Sequence, residues 1–107
     1  MMNIQKMMKQ AQDMQSKMQE VQDRVGQMEA EGSSGGGLVK VSMSCKGMVT
    51  SLNVDTSLIK EDEAEVMEDL IAAAVNDART KADTIMAEET QKAMQDMGLP
   101  PGMELPF

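Results

Sequence analysis

Eight apolar residues near the start of the chain stand at Ile4, Met7, Ala11, Met14, Met18, Val21, Val25 and Met28, separated alternately by three and four positions. That alternation is the a/d seam of a heptad: it keeps one narrow stripe on one side of an α-helix. The spacing predicts a helix of about 37 Å, at about 1.5 Å per residue over about 25 residues. Gln, Lys, Asp and Glu fill the rest of its surface and suit a solvated helix face. A stripe this narrow calls for another helix against it, in the core of the same chain or in a second copy. Gly26 weakens the pattern and marks the expected end of the helix.

Beyond the helix, the run 31–37 (Glu-Gly-Ser-Ser-Gly-Gly-Gly) reads as a flexible loop inside one domain. Residues 38–45 then alternate, with Val39, Val41, Met43 and Cys45 on one face. Residues 48–55 alternate too, with Met48, Thr50, Leu52 and Val54 on one face. Lys46-Gly47 between them fits a two-residue hairpin loop with Gly at a positive-φ position. That loop would pair 45 with 48, 43 with 50, 41 with 52 and 39 with 54, so the two apolar faces coincide. A further strand around 27–31 is only weakly marked.

Glu61, Asp62, Glu63 and Glu65 are suited to the first turn of a second helix, where they oppose the macrodipole. Met67, Leu70, Ile71, Ala74, Ala78, Ala82, Ile85 and Met86 would be its buried stripe. The helix should run to about Met97, where Gly98 and Pro100-Pro101 stop it. The final Met103-Glu-Leu-Pro-Phe107 is too apolar for a free tail and is expected to dock on the body or on a partner. The residues thus give an α+β chain, 1–107, of one domain in two layers.

The residue types exclude much chemistry. The chain has no His, Trp or Tyr, a single Phe at 107, and one Cys at 45. Without His there is no nucleophile–His pair of the hydrolase kind, and no catalytic residue is assigned. One Cys makes neither an internal disulfide nor a Cys-rich zinc site. Lying in an apolar strand pattern, Cys45 reads as a small buried hydrophobe and fits a reducing cytoplasm. The 14 Met belong mostly to seam and core positions, and no metal or cofactor site is expected. The glycines at 35–37 lack the Lys-Ser/Thr of a P-loop and lead into a strand. The acids at 61–65 do not follow calcium-loop spacing. No signal peptide or membrane-spanning run is visible. The expected class is therefore a non-enzymatic interaction protein with neither a small-molecule substrate nor a membrane partner.

Charge divides the chain. The net charge is −8. Residues 1–28 carry Lys6, Lys9, Lys17 and Arg24 and sum to +1, while residues 61–107 sum to −9. The four cations flank the seam, so they project while it is buried. On composition alone they are an ordinary solvated face. Arg79 and Lys81 make a weaker second basic spot, also read as solvated surface.

Four stretches taken together, MMKQAQDMQSKMQ at 7–19, GGGLVKVSMSCKG at 35–47, EDLIAAAVNDA at 68–78 and GLPPGMELPF at 98–107, resemble the YbaB/EbfC family. The resemblance spans nearly the whole chain in the family's order. It implies an α-β-β-β-α layout with a third strand, and a tweezer-like homodimer. It further implies a cytoplasmic, nucleoid-associated protein that binds duplex DNA with little sequence preference and serves nucleoid organisation or gene regulation. Lys6, Lys9, Lys17 and Arg24 would then be the phosphate contacts, and Ile4, Met7, Ala11, Met14, Met18 and Val21 the dimer or core seam. The alternative is a protein-interaction module that uses the heptad helix, with weak or indirect DNA contact. A charge of −8, or −16 for a dimer, opposes phosphate binding unless the cations are set apart from the acids.

Overall fold

The computed structural model describes residues 3–96 and 98; the expected docking of residues 103–107 lies outside the described residues. Helix α1 runs Ile4–Gly26. Strands β1 (Glu29–Ser34), β2 (Val39–Ser44) and β3 (Val49–Val54) follow, and after two short 3-10 turns helix α2 runs Ala64–Asp96. The three strands form one antiparallel sheet in the order β1-β2-β3, and α2 lies across one face of it. This is the expected α-β-β-β-α layout in two layers. Asn3 caps α1, its side chain accepting from the amides of Gln5 and Lys6 at 3.1 and 3.3 Å, which satisfies two of the four orphan N–H groups of a helix start.

Two local expectations are corrected. The first is the loop at 31–37: β1 continues through Glu31-Gly-Ser-Ser34 in register with β2, and only 35–38 form the turn. The Gly and Ser that look like linker residues have a packing reason. A Cβ on Gly32 would fall on the backbone amide of Ala78 and the carbonyl of Ala74. The strand therefore runs directly beneath the helix backbone. Ala74, Ala78 and Ala82, with relative exposures of 0, 0 and 1 %, complete a small-on-small contact that brings α2 close to β1. The hydroxyl of Ser34 donates to the Leu70 carbonyl.

The second concerns the hairpin register. Val39 pairs with Val54 and Val41 with Leu52 as expected, but Met43 pairs with Val49 because Thr50 is bulged out of the ladder. The turn becomes three residues, Cys45-Lys46-Gly47, with Gly47 at φ 93° and the Ser44 amide donating to the Met48 carbonyl at 2.8 Å. A β-bulge adds one residue to one strand and re-aims a side chain. Here it turns Thr50 outward, where its hydroxyl lies 3.0 Å from Glu29 Oε1 and 3.2 Å from the Ser42 carbonyl, and puts Val49 on the inner face instead.

The core lies between α2, β1, β2 and the second half of α1. Met18, Val25, Val39 and Val41 are its largest fully buried side chains. Cys45 is buried, and burial pushes its thiol pKa up, as suits a packing residue. The expected stripe of α2 is present, the Ala residues fully buried and Met67, Leu70, Ile71, Ile85 and Met86 packed on the core; Val75, Ala93 and Met94 join it.

The two sheet edges differ. On β1 the Ser33 amide donates to an Asp77 carboxylate oxygen at 3.0 Å, and Lys81 Nζ sits 3.1 Å from the same oxygen. These contacts hold the Asp77 carboxyl below the ordinary carboxylate range, the Ser33 amide first and the lysine second. A depressed folded pKa stabilises the fold above the ordinary range and loses that contribution as pH falls through the folded value. Thermal unfolding followed by circular dichroism should therefore show Tm declining below about pH 4, and Asp77→Asn should flatten that decline. An unchanged acid limb in the variant would show that Asp77 contributes nothing to it.

Among the described residues the β3 edge has no such cover. Leu52 lies opposite fully buried Val41 but is 50 % exposed, because α2 covers β1 and β2 and stops short of β3. Met48, Val49, Ile59 and Val66 are exposed as well.

Candidate nucleic-acid interface

Helix α1 is half body and half arm. Its end lies at the hairpin turn, where the Lys46 stem crosses Gly26 and Arg79 reaches Gly47. One turn back, Arg24 Nη2 meets Glu89 Oε2 at 3.2 Å. Further back, Lys17, Glu20 and Val21 share a cleft with Lys92, Ala93 and Asp96. The two helices therefore run antiparallel, and α2 reaches its last described turn beside the middle of α1.

The N-terminal half of α1 projects beyond that point. The molecule measures 74 × 21 × 17 Å with a radius of gyration of 19.8 Å, against about 13 Å for a compact chain of this length.

This geometry divides the predicted seam. Met18, Val21 and Val25 are buried and Met14 half-buried, whereas Ile4, Met7 and Ala11 stay exposed. Those three do not belong to the core of the single chain, and Met28, 39 % exposed, does not either. The heptad pattern is continuous, but α2 is too short to follow it.

All four predicted cations lie on α1 and are exposed. At about 100° per residue they fall within a sector of about 80° that flanks the seam; Asp13 and Glu20 share that sector. Their partners separate them. Arg24 is tied to Glu89, which Lys92 also approaches at 3.9 Å. Among the described residues Lys6, Lys9 and Lys17 make no ion pair, and Lys6 and Lys9 are on the arm. The second basic spot is neutralised locally, with Arg79 on Asp83 and Lys81 on Asp77, both at 3.1 Å.

The densest acidic cluster and the arm are at opposite ends, while Asp13 stands on the arm and Glu89 and Asp96 line the cleft at its base. Glu61, Asp62, Glu63, Glu65, Glu68 and Asp69 lie at the start of α2. From Glu65 to Asp96 the helix rises about 45 Å, and the arm begins only there. At physiological ionic strength the Debye length is about 8 Å, so that acidic cluster does not govern the potential at Lys6 and Lys9. The net charge of the whole chain is thus a poor guide to the arm.

The outer face of the sheet holds a polar groove that sequence reasoning did not single out. Glu31, Ser33, Lys40, Ser42, Ser51 and Asn53 line it with Lys81. Its signal was the polar half of each strand's alternation. Among the described residues no group of His, Cys, Asp and Glu is placed to hold a metal ion, and no helix is long and apolar enough to cross a membrane.

Fold and charge layout together define a small α+β module with a cationic helical arm and an uncovered sheet edge. The chain belongs to the YbaB/EbfC DNA-binding family, whose model matches residues 1–97. It is 54 % identical over 101 residues to proteins of Brucella ovis and Brucella canis and 52 % identical to one of Brucella melitensis, each named a nucleoid-associated protein and each matched over 94 % of both chains. These names describe DNA-binding and nucleoid association rather than an enzyme activity. Among solved structures, an uncharacterized protein of Helicobacter pylori superposes with a TM-score of 0.70 at 21 % identity, covering 92 % of this chain and all of that one; the likeness supports the fold.

Proposed function

We propose that this protein is a non-enzymatic, nucleoid-associated protein of the bacterial cytoplasm that binds duplex DNA as a homodimer with little sequence preference. The observation that carries the reading is the segregation of charge. Lys6 and Lys9 stand on an arm beyond the acidic body, with Lys17 at its base, and none of the three is ion-paired among the described residues. Lysine contacts to phosphate fix position on DNA without reading sequence. Arg24, held by Glu89, contributes little. Family membership and the names of the Brucella relatives support the same reading.

A second copy is assigned to the β3 edge. An unpaired strand edge with an apolar inner row is a template for another chain. Among the described residues, five of the nine exposed large apolar side chains, Met48, Val49, Leu52, Ile59 and Val66, occur from the turn before β3 to the start of α2. Two bodies joined there would present two arms, as the jaws of a tweezer do. Leu52→Asp should halve the mass measured by light scattering, and with it the number of arms per DNA-binding unit. A variant that keeps the wild-type mass would place the dimer contact elsewhere.

DNA binding itself is tested by fluorescence anisotropy on two labelled duplexes of unrelated sequence at low salt. Both should bind, at affinities within a few-fold of each other. Absence of binding at protein concentrations on the order of tens of micromolar would refute the reading, since non-specific binders reach that range.

A further inference from the structure

We propose that the projecting half of α1 pairs, antiparallel, with the same segment of a second copy through Ile4, Met7, Ala11 and Met14. This contact between copies is separate from the β3 edge. Ile4, Met7 and Met8 are 71, 50 and 59 % exposed and Met14 is half-buried, yet the arm is helical from Ile4 onward. Isolated helical segments shorter than about 12–15 residues are marginal in water and are stabilised mainly by packing of an apolar face.

The seam points to the kind of partner. Nearer the body the same seam is covered by α2 at Met18, Val21 and Val25, where the two helices run antiparallel. Past the last described turn of α2 the seam goes on with its period unchanged. It therefore fits another antiparallel helix that carries an a/d row of its own. A second arm carries that row.

The side chains select one register. Antiparallel pairing centred on Lys9 sets Ile4 of one arm against Met14 of the other, and Met7 against Ala11. Each layer then joins an a to a d position, and small Ala11 leaves room for long Met7. Parallel pairing would set Ala11 against Ala11 and leave a void, which close-packed interfaces avoid. Charge agrees with the antiparallel order. At about 100° per residue Lys6 and Asp13 share one flank of the arm. In this register Lys6 of one arm comes within one residue of the level of Asp13 on the other. The opposite flank carries Met8, Gln12 and Gln15, so no like charges meet there. Lys9 stays on the outer side of each arm, free for phosphate. Four such layers bury less than the roughly 800 Å² per partner of a standard interface, so the contact is weak and is best trapped covalently.

The test mixes full-length Met7→Cys protein with full-length Ala11→Cys protein, at high concentration and without DNA, under mild oxidation. The native Cys45 is buried. A disulfide requires Cα atoms within about 7 Å. The register places position 7 of one arm beside position 11 of the other, and sets like positions about 6 Å apart along the axis. The mixed disulfide should therefore exceed either self-linked product by about fivefold or more. It should form equally when both proteins also carry Leu52→Asp, so failure of the β3 dimer contact and failure of the arm pairing are distinguishable. Three results would overturn the proposal: no cross-linked product, a self-linked Met7→Cys product in excess, as parallel arms would give, or a mixed product lost in the Leu52→Asp background.

Discussion

Replacing Lys6 and Lys9 together by glutamate is expected to weaken duplex binding by on the order of 10³-fold near 0.1 M salt. Each phosphate neutralised contributes about 0.9 to the slope of log affinity against log salt. Removing two such contacts on each of two arms therefore removes about three and a half decades relative to 1 M salt, before any repulsion from the new carboxylates is counted. The fold should not notice. Both residues are exposed on a capped helix and have no ion-pair partner among the described residues, and surface changes of this kind usually stay within about 0.5 kcal/mol. The check is anisotropy on one duplex, with mass and Tm measured on the same samples. Arg24→Ala is the contrast, expected to change affinity less than about threefold, because its guanidinium already serves Glu89 and surface pairs of that kind contribute little. Equal losses from the two variants would mean that the body, not the arm, contacts DNA.

The second large effect concerns Gly32. Valine suits strands in general, yet Gly32→Val should destabilise the protein by about 3 kcal/mol or more, since overpacking costs typically 1–3 kcal/mol and here the obstructing atoms are the Ala74 carbonyl and the Ala78 amide. Backbone of a packed helix cannot move aside as a side chain can. In a chain of this size the loss corresponds to a fall in Tm of about 10–20 °C. Gly36→Ala separates packing from backbone conformation. Gly36 sits at φ 68° with nothing within 4 Å of a built Cβ, so its cost is the left-handed conformation alone, about 1 kcal/mol. Thermal melts that rank the two variants in the opposite order would contradict the close approach of α2 to β1.

Both helices and the hairpin were legible because each rests on a period. The 3,4 spacing of α1, the acidic start and alanine stripe of α2, and the alternation of β2 and β3 are all local signals. What escaped reading depends on contacts across the fold. Glu31-Gly-Ser-Ser34 reads as linker until α2 is seen lying on Gly32. The Thr50 bulge cannot be seen in alternation, because a hydroxyl fits either face and its partners, Glu29 and Ser42, come from other strands. The seam is legible as a pattern, but which part of it is core is not, since periodicity says nothing about where the covering helix ends.

The candidate site divides the same way. Lys6, Lys9, Lys17 and Arg24 were identifiable as cations beside a seam. Their unequal availability was not, since Glu89 is 65 residues from Arg24 in sequence. The charge of −8 seemed to oppose DNA binding because a sum carries no positions; the elongated shape supplies them. The outer-face groove around Lys40 went unremarked because polar strand residues are ordinarily just solvated.

The central claim is that phosphate contacts from the arms carry DNA binding despite an acidic body. The most direct measurement is the affinity of the unaltered protein for one duplex across a salt series. With Lys6, Lys9 and Lys17 engaged on both arms of a dimer, the plot of log affinity against log salt should be linear with a slope of about −5, from about −0.9 per phosphate. A slope near zero, with binding undiminished as salt rises, would contradict the account.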